Sequence, residues 1–298
     1  MLNSISVIIP SYNSSHTLCH TIEGILHQEN VQAKEIIIVD SSDDGNIEKI
    51  KTKYQAFDHI VFSNAGIKVM PAMGRNIGAE SAKGNILVFL DSDVIPSQQL
   101  LEHILNAYEK GCLVGGVGVD IPEFQISNLV ALAQYYLQFN EYLPTGEKRK
   151  KPFLPSCNLF CDKDLFYKAG KFPEMRASED VVFGLNISKF ADIWFIPESK
   201  VWHIFREKWK DFLNNQKLLG KYISIYRKRN SCRFIYRGIF PVLLSPLFLF
   251  AKYARIVPRI INAGLNHIYR FVKVFPIFSI GLLFWMIGFV QGCSTKED

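Results

Sequence analysis

Asp91-Ser92-Asp93 closes an apolar run, Asn85-Ile86-Leu87-Val88-Phe89-Leu90, and Val94-Ile95-Pro96 follows it. Alternate side chains of an extended chain share a face, so Asp91 and Asp93 can point the same way. Two carboxylates aimed at one spot repel each other unless a cation joins them. A hard divalent cation held by such acids completes its shell with water and phosphate oxygens, which suggests a diphosphate-bearing ligand. On its own the pair is weak evidence, and a solvated turn is the commoner outcome for such acids. Four other places carry usable chemistry. Ser6-Val7-Ile8-Ile9 runs into Pro10-Ser11-Tyr12-Asn13, where backbone and an aromatic ring could meet a base. Ile38-Val39-Asp40 leads into Ser41-Ser42-Asp43-Asp44-Gly45, and an acid at the carboxyl end of a strand can accept from a base or ribose. Gly74-Arg75-Asn76-Ile77-Gly78-Ala79 opens a helix, with an arginine able to neutralise phosphate and glycines that permit close approach. Ser178-Glu179-Asp180 sets two acids ahead of an amphipathic helix. Each has a structural alternative: Asp40 and Asp43 as helix caps, Arg75 in a surface ion pair, Glu179 and Asp180 as acids suited to a helix macrodipole.

Something must bring these five places together, and the hydropathy pattern supplies it. Strand patterns at residues 5–9, 35–39, 59–62 and 86–90 alternate with helical patterns at 14–28, 47–54 and 71–82. That order predicts an α/β domain with a mostly parallel central sheet, and strands this continuously apolar require helices on both faces. Pro10 is expected to break the first strand, and Pro96 to sit in the first turn of a helix running to about residue 110. Further on, an aromatic-rich helix is expected at 125–142, helices at 163–169 and 180–189, and a strand at 193–196. The basic run Glu147-Lys148-Arg149-Lys150-Lys151 reads as a solvated loop.

The chain has 298 residues, 48% of them hydrophobic, and its net charge of +6 is unevenly shared. Up to Trp202 there are 18 basic and 24 acidic residues; from His203 onward there are 16 basic and 4 acidic. An acidic body with a basic, apolar, aromatic tail points to a membrane surface rather than to nucleic acid, because long Phe/Leu/Ile runs suit phosphate contacts poorly. The division expected is a catalytic domain at 1–205, a basic amphipathic interface helix at 206–235 and a membrane-associated region at 236–298. Within the last, 238–251 is too short to span and reads as interfacial, whereas 274–295 is uncharged and long enough to cross. Two crossings would export the basic stretch 252–273, so one span is expected, with the catalytic domain on the cytoplasmic side of the cell membrane. The six cysteines show no metal-ligand spacing and read as free thiols in a reducing compartment.

The ordered set Val7-Ile8-Ile9-Pro10-Ser11-Tyr12-Asn13, Val39-Asp40, Gly74-Arg75-Asn76-Ile77-Gly78, Asp91-Ser92-Asp93 and Glu179-Asp180 resembles a family 2 glycosyltransferase of the GT-A (nucleotide-diphospho-sugar transferase) fold, over about residues 4–205. The resemblance implies a UDP-linked nucleotide-sugar donor, a divalent metal (Mg²⁺ or Mn²⁺) and inversion at the anomeric carbon. It would place Pro10, Tyr12 and Asp40 around the nucleoside, Arg75 near the nucleotide and Asp91 on the ribose and sugar side. Asp93 would bind the metal, Asp180 would be the general base, and His203 in Val201-Trp202-His203 would reach the metal or the leaving phosphate. The Gln-x-x-Arg-Trp pattern of processive relatives is absent, which favours single transfer to a lipid or saccharide acceptor. The competing classes are a non-catalytic, membrane-anchored nucleotide-binding scaffold and a nucleotidyltransferase. The latter would want a basic, glycine-rich loop after the first strand, where Pro10-Ser11-Tyr12-Asn13-Ser14-Ser15 has no Lys or Arg.

Overall fold

The computed structural model describes residues 3–231 and 234–295, so Cys232 lies outside the described residues. The chain forms two compact units. The first comprises the described residues up to Asp120 together with Pro144–Ile204; the second comprises Ile121–Leu143 and the described residues from Phe205 onward. The segment 121–143 therefore belongs with the C-terminal helices rather than with the sheet that precedes and follows it.

The first unit is built on one nine-stranded sheet. Its elements run β1 (Ile5–Ser11), α1 (Ser15–Leu26), β2 (Glu35–Asp40), α2 (Ile47–Tyr54), β3 (Ile60–Asn64), α3 (Pro71–Ser81), β4 (Ile86–Leu90), β5 (Val94–Pro96), α4 (Leu100–Glu109) and β6 (Val114–Asp120). After α5 (Leu129–Phe139) of the second unit come β7 (Arg149–Lys150), β8 (Asn158–Asp162), α6 (Lys163–Lys168), α7 (Glu179–Ile187) and β9 (Ile193–His203). The strand order is β3-β2-β1-β4-β8-β6-β9-β5, with β7 on β9. From β3 to β4 every pairing is parallel. Beyond β4 the sheet is mixed, because β8 is antiparallel to both neighbours. The architecture is thus GT-A-like α/β, with its parallel half confined to the first ninety residues. Val7, Ile8, Ile9, Ile37, Ile38, Val88 and Phe89 are fully buried, as strands covered on both faces must be.

Two prolines behave differently from expectation, each for a local reason. β1 continues through Pro10 to Ser11, in register with Val39 and Asp40 of β2. On its other side β1 pairs with β4 only as far as Ile8, so the missing N–H of Pro10 falls where no ladder bond is needed. Pro96 ends a short strand instead of starting a helix. Val94–Pro96 runs antiparallel to Val201–His203, and α4 begins only at Leu100. β9 is also much longer than the expected 193–196. Its pairing with β6 slips between Val117↔Ile196 and Gly118↔Lys200, so Pro197, Glu198 and Ser199 are extra residues before the strand resumes. This bulge lets one strand serve two neighbours and brings His203 opposite Val94.

The second unit is helical: α5, α8 (Trp209–Arg229), α9 (Phe240–Leu243), α10 (Ser245–Asn262) and α11 (Leu265–Ser294). Among the described residues, α11 is the one helix long and apolar enough to cross a membrane, with a mean hydropathy of 1.9 over its most apolar window. It starts nine residues before the expected span at 274–295.

Helix α3 sits close on β1. A Cβ added at Gly78 would lie 2.4 Å from Ile8 Cγ2 and 3.3 Å from Val39 Cγ2, both in the core. Gly78→Ala is therefore expected to lower the unfolding free energy by about 1–3 kcal/mol through overpacking, despite the better helix propensity of alanine. A urea titration against wild type checks this; an unchanged or raised midpoint would contradict the packing.

Candidate active site

The carboxyl ends of the parallel strands and the ends of β5 and β9 bring the acids together. Asp91 and Asp93 leave β4 on a turn closed by the Val94 N–H donating to the Asp91 carbonyl at 3.3 Å. Ser92 between them donates to Ser14 Oγ at 2.9 Å. The Ile204 N–H donates to the Asp93 carbonyl at 2.8 Å, tying the end of β9 to the same turn. As a result one ligand atom each from Asp91, Asp93 and His203 lies within 4.8 Å of the others. His203 Nδ1 faces the Ile204 carbonyl at 3.0 Å and donates to it. Its Nε2 lies 3.6 Å from Asp93 Oδ1, on the side of the two acids. Two carboxylate oxygens and one imidazole nitrogen, partly open to solvent, suit a hard-to-borderline divalent ion that keeps water or phosphate ligands.

Arg75 organises the other side of the pair. It is only 2% exposed, on α3. Its Nη2 donates to Asp91 Oδ1 at 2.5 Å and its Nη1 to Glu179 Oε1 at 3.1 Å. Burial alone would lower the guanidinium pKa, but the charges of Asp91 and Glu179 outweigh it, and the group is held protonated more firmly than usual. The surface-pair alternative for Arg75 therefore fails. Its guanidinium joins α3, the end of β4 and the start of α7.

Asp180 follows Glu179 at the start of α7, after Ser178 in the left-handed region at φ 70°. Burial, with the charge of Glu179 second, pushes the Asp180 carboxyl up to about 7. A carboxyl so placed can take a proton near neutral pH, which a macrodipole-capping acid on a surface helix would not do. The thiol of Cys157, buried nearby, is pushed well above its usual range by burial and then by the charges of Asp91 and Asp93, with Asp180 adding to them. It is a neutral packing group. The acids of the DxD turn and of α7 thus act on one buried region, with Arg75 as the internal cation.

The first two strand ends form a separate clamp. Both Asp40 carboxylate oxygens accept from Ser42, Oγ at 2.7 Å and the N–H at 3.2 Å, so Asp40 shapes its own loop. Asp43 accepts from Tyr12 Oη at 2.9 Å and from Asn13 Nδ2 at 2.8 Å. These bonds, that from Asn13 first, hold the Asp43 carboxyl below the usual carboxylate range. Neither acid caps α2, whose N-cap is Asn46. Pro10 stands within β1, two residues before Tyr12. Lys68, absent from the sequence reading, stands with Nζ 3.9 Å from the Tyr12 ring centroid. Its signal was faint: one lysine after Gly66-Ile67, between β3 and α3. Glu179 was read as part of a motif, but its ion pair with Arg75 joins residues 104 apart and had no sequence signature.

Residues 6–170 match the family described as glycosyl transferase family 2. The chain belongs to this family. Among curated family 2 relatives, "Glycosyltransferase AglE" of Haloferax volcanii is 30% identical over 175 residues, 57% of this chain and 56% of that protein. The chain thus spans about half the length of this relative. The fold is shared with "S. aureus TarS 1-349 in complex with UDP-GlcNAc", at a TM-score of 0.55 and 15% identity over 97% of this chain and 90% of that one. It is also shared with "GalNAc-T7 with UDP, GalNAc and Mn2+", at 0.56 and 16% over 69% and 44%.

Removing Arg75 would leave Asp91 and Glu179 facing each other without a cation. Arg75→Met is expected to cost about 3–5 kcal/mol of stability, and Arg75→Met with Glu179→Gln less than Arg75→Met alone. Urea unfolding of wild type, the single variants and the double variant measures the coupling; additive losses would show that the pair is not a unit.

Proposed function

We propose that this protein transfers a sugar, with inversion and with a divalent metal, from a UDP-linked nucleotide sugar to a hydroxyl of a lipid-linked or membrane-proximal saccharide acceptor at the cytoplasmic face of the cell membrane. The observation that carries this reading is the separation of two acid functions within one site. Asp93, His203 and Asp91 converge as a candidate metal trio, while Asp180 stands apart with a carboxyl raised to about 7.

Asp93 and His203 would hold Mg²⁺ or Mn²⁺, with Asp91 between the ion and Arg75. When bound, the ion neutralises charge on a departing nucleoside diphosphate. The remaining work falls to the chain. Tyr12, Asn13 and Asp43 form a preset ledge at the end of β1 on which a base and ribose can rest, with Pro10 in the strand before it and Lys68 beside the ring. Asp40 fixes the loop that carries this ledge. Arg75, pinned by two acids, fixes the direction of Asp91 rather than meeting phosphate itself. Asp180, its carboxyl raised to about 7, would in its ionised form take the acceptor hydroxyl's proton as oxygen attacks the anomeric carbon. Family membership, the UDP-GlcNAc of the TarS complex and the Mn²⁺ of the GalNAc-T7 complex support donor and metal class.

Donor consumption should be measured with a panel of nucleotide sugars, Mg²⁺ or Mn²⁺ and a membrane lipid extract. Asp180→Asn is expected to lower kcat by about 10²–10⁴-fold while leaving UDP binding intact. Because the base must be unprotonated, kcat/KM should rise about tenfold per pH unit below about 7 and level off above it. Unaltered turnover in Asp180→Asn would remove the assignment. Metal binding is read separately, by Mn²⁺ paramagnetic resonance in the presence of UDP: Asp93→Ala and His203→Ala should each weaken it by at least about tenfold. Metal-dependent UDP binding with no turnover of any donor would instead favour the nucleotide-binding scaffold.

A further inference from the structure

Helix α11 has two unlike faces. One is buried within the second unit, through Val274, Phe278, Leu282, Trp285 and Phe289. Along its C-terminal half it meets α8 at glycines. A Cβ on Gly288 would fall 1.9 Å from the Lys217 carbonyl oxygen, and one on Gly220 equally close to that of Trp285. Phe212 lies against Gly281, Ser224 against Gly292, and Lys228 Nζ donates to the Thr295 carbonyl at 2.9 Å. So α8 runs beside α11 from about Gly281 to its end, in the same direction. A bilayer crossed by residues 274–295 would have to admit α8 as well. Lys217 of α8, opposite Gly288, would then lie inside the hydrocarbon, at about 2.5–3.5 kcal/mol for a lysine near a helix centre. The close backbone approach leaves no room for α8 to swing away.

The other face is exposed and apolar. Leu265, Tyr269, Val272, Ile280, Leu283 and Ile287 are all exposed and recur at spacings of three, four or eight, which is one stripe of a helix. Leu247, Phe250 and Ile261 mark a similar exposed stripe on α10. The two helices are joined at Ala263-Gly264 and pack antiparallel through Tyr253 against Phe275 and Phe278. At about 100° per residue from that seam, both stripes fall on the same side of the pair. The charge pattern states what this side faces. Between residues 212 and 296 there are 13 Lys or Arg and no Asp or Glu. An apolar face within a wholly cationic segment is complementary to an anionic lipid surface, not to water and not to another copy carrying the same charge.

We infer that the second unit is a monotopic membrane anchor: the α10–α11 hairpin lies along one leaflet of an anionic bilayer with both stripes in the headgroup–acyl boundary, and α11 does not cross. This departs from the sequence expectation of a span at 274–295, and it holds whether or not the first unit transfers sugar.

The test uses the full chain. Asn266→Cys and Gln291→Cys, both exposed and near opposite ends of the α11 stripe, are expressed and probed in sealed inverted membrane vesicles with a membrane-impermeant maleimide, above the wild-type background. Both should label equally from the same side; protection of one and not the other would establish a crossing and overturn the inference. In flotation with 7:3 phosphatidylcholine–phosphatidylglycerol vesicles, Leu283→Glu with Ile287→Glu should reduce bound protein at least tenfold. Pure phosphatidylcholine should bind less protein than the mixed vesicles. Undiminished flotation of the double variant, or equal binding to neutral vesicles, would refute the lipid surface as occupant. A double variant that floats normally but loses self-association in detergent would make the stripe a contact between copies.

Discussion

One buried guanidinium sets the geometry of the first unit. Arg75 has almost no access to water, and the desolvation of its charge is offset chiefly by Asp91 and Glu179. Arg75 and these partners come from three elements: a helix of the parallel half, the end of β4 and the start of α7. The constraint is mutual. Asp91 is turned toward α3, which leaves Asp93 to face His203, and Glu179 is turned the same way, which leaves Asp180 as the second acid of α7. In each of two neighbouring pairs of carboxylates, the same cation pairs with one member, Asp91 in one and Glu179 in the other. A buried pair of this kind contributes little net stability, but it penalises every arrangement in which either acid turns elsewhere.

The parallel half of the sheet was legible because its physics is local. Continuous β-branched runs alternating with amphipathic stretches have few other solutions, and Ile5, Glu35 and Ile86 start adjacent strands as the pattern required. Asp40 and Asp91 were placed for the same reason, since each stands at the end of such a run. What escaped was non-local. The ion pair between Arg75 and Glu179, the bulge at Pro197–Ser199 and the pairing of β5 with β9 all join residues about a hundred positions apart or change register within a strand. Periodicity does not encode such partners. Pro96 shows the cost: its preference for a first helical turn is real, but edge pairing to Val201 decided the outcome.

The C-terminal region shows a second limit of composition. Length and hydropathy read α11 as a span because they average over its circumference. Its glycines add what that average leaves out, since Gly281, Gly288 and Gly292 bring a lysine-bearing helix against it. The distinction between crossing and lying on a membrane rests on what occupies the second face of the helix. Hydropathy alone does not report that.

The bulge in β9 has a consequence for how the molecule comes into being. His203 reaches Asp93 only through a strand that bulges out of its pairing with β6 for three residues and resumes it with β5 on its other side. The trio is therefore complete only after 110 further residues have been made beyond Asp93. A nascent chain can close β1 to β4 early, since N-terminal elements of a chain fold first during synthesis. Until β9 docks, Asp91 has the Arg75 guanidinium beside it but Asp93 lacks the imidazole of His203. A divalent cation held by the trio would bind only once the last strand has arrived, and would then also fasten the sheet.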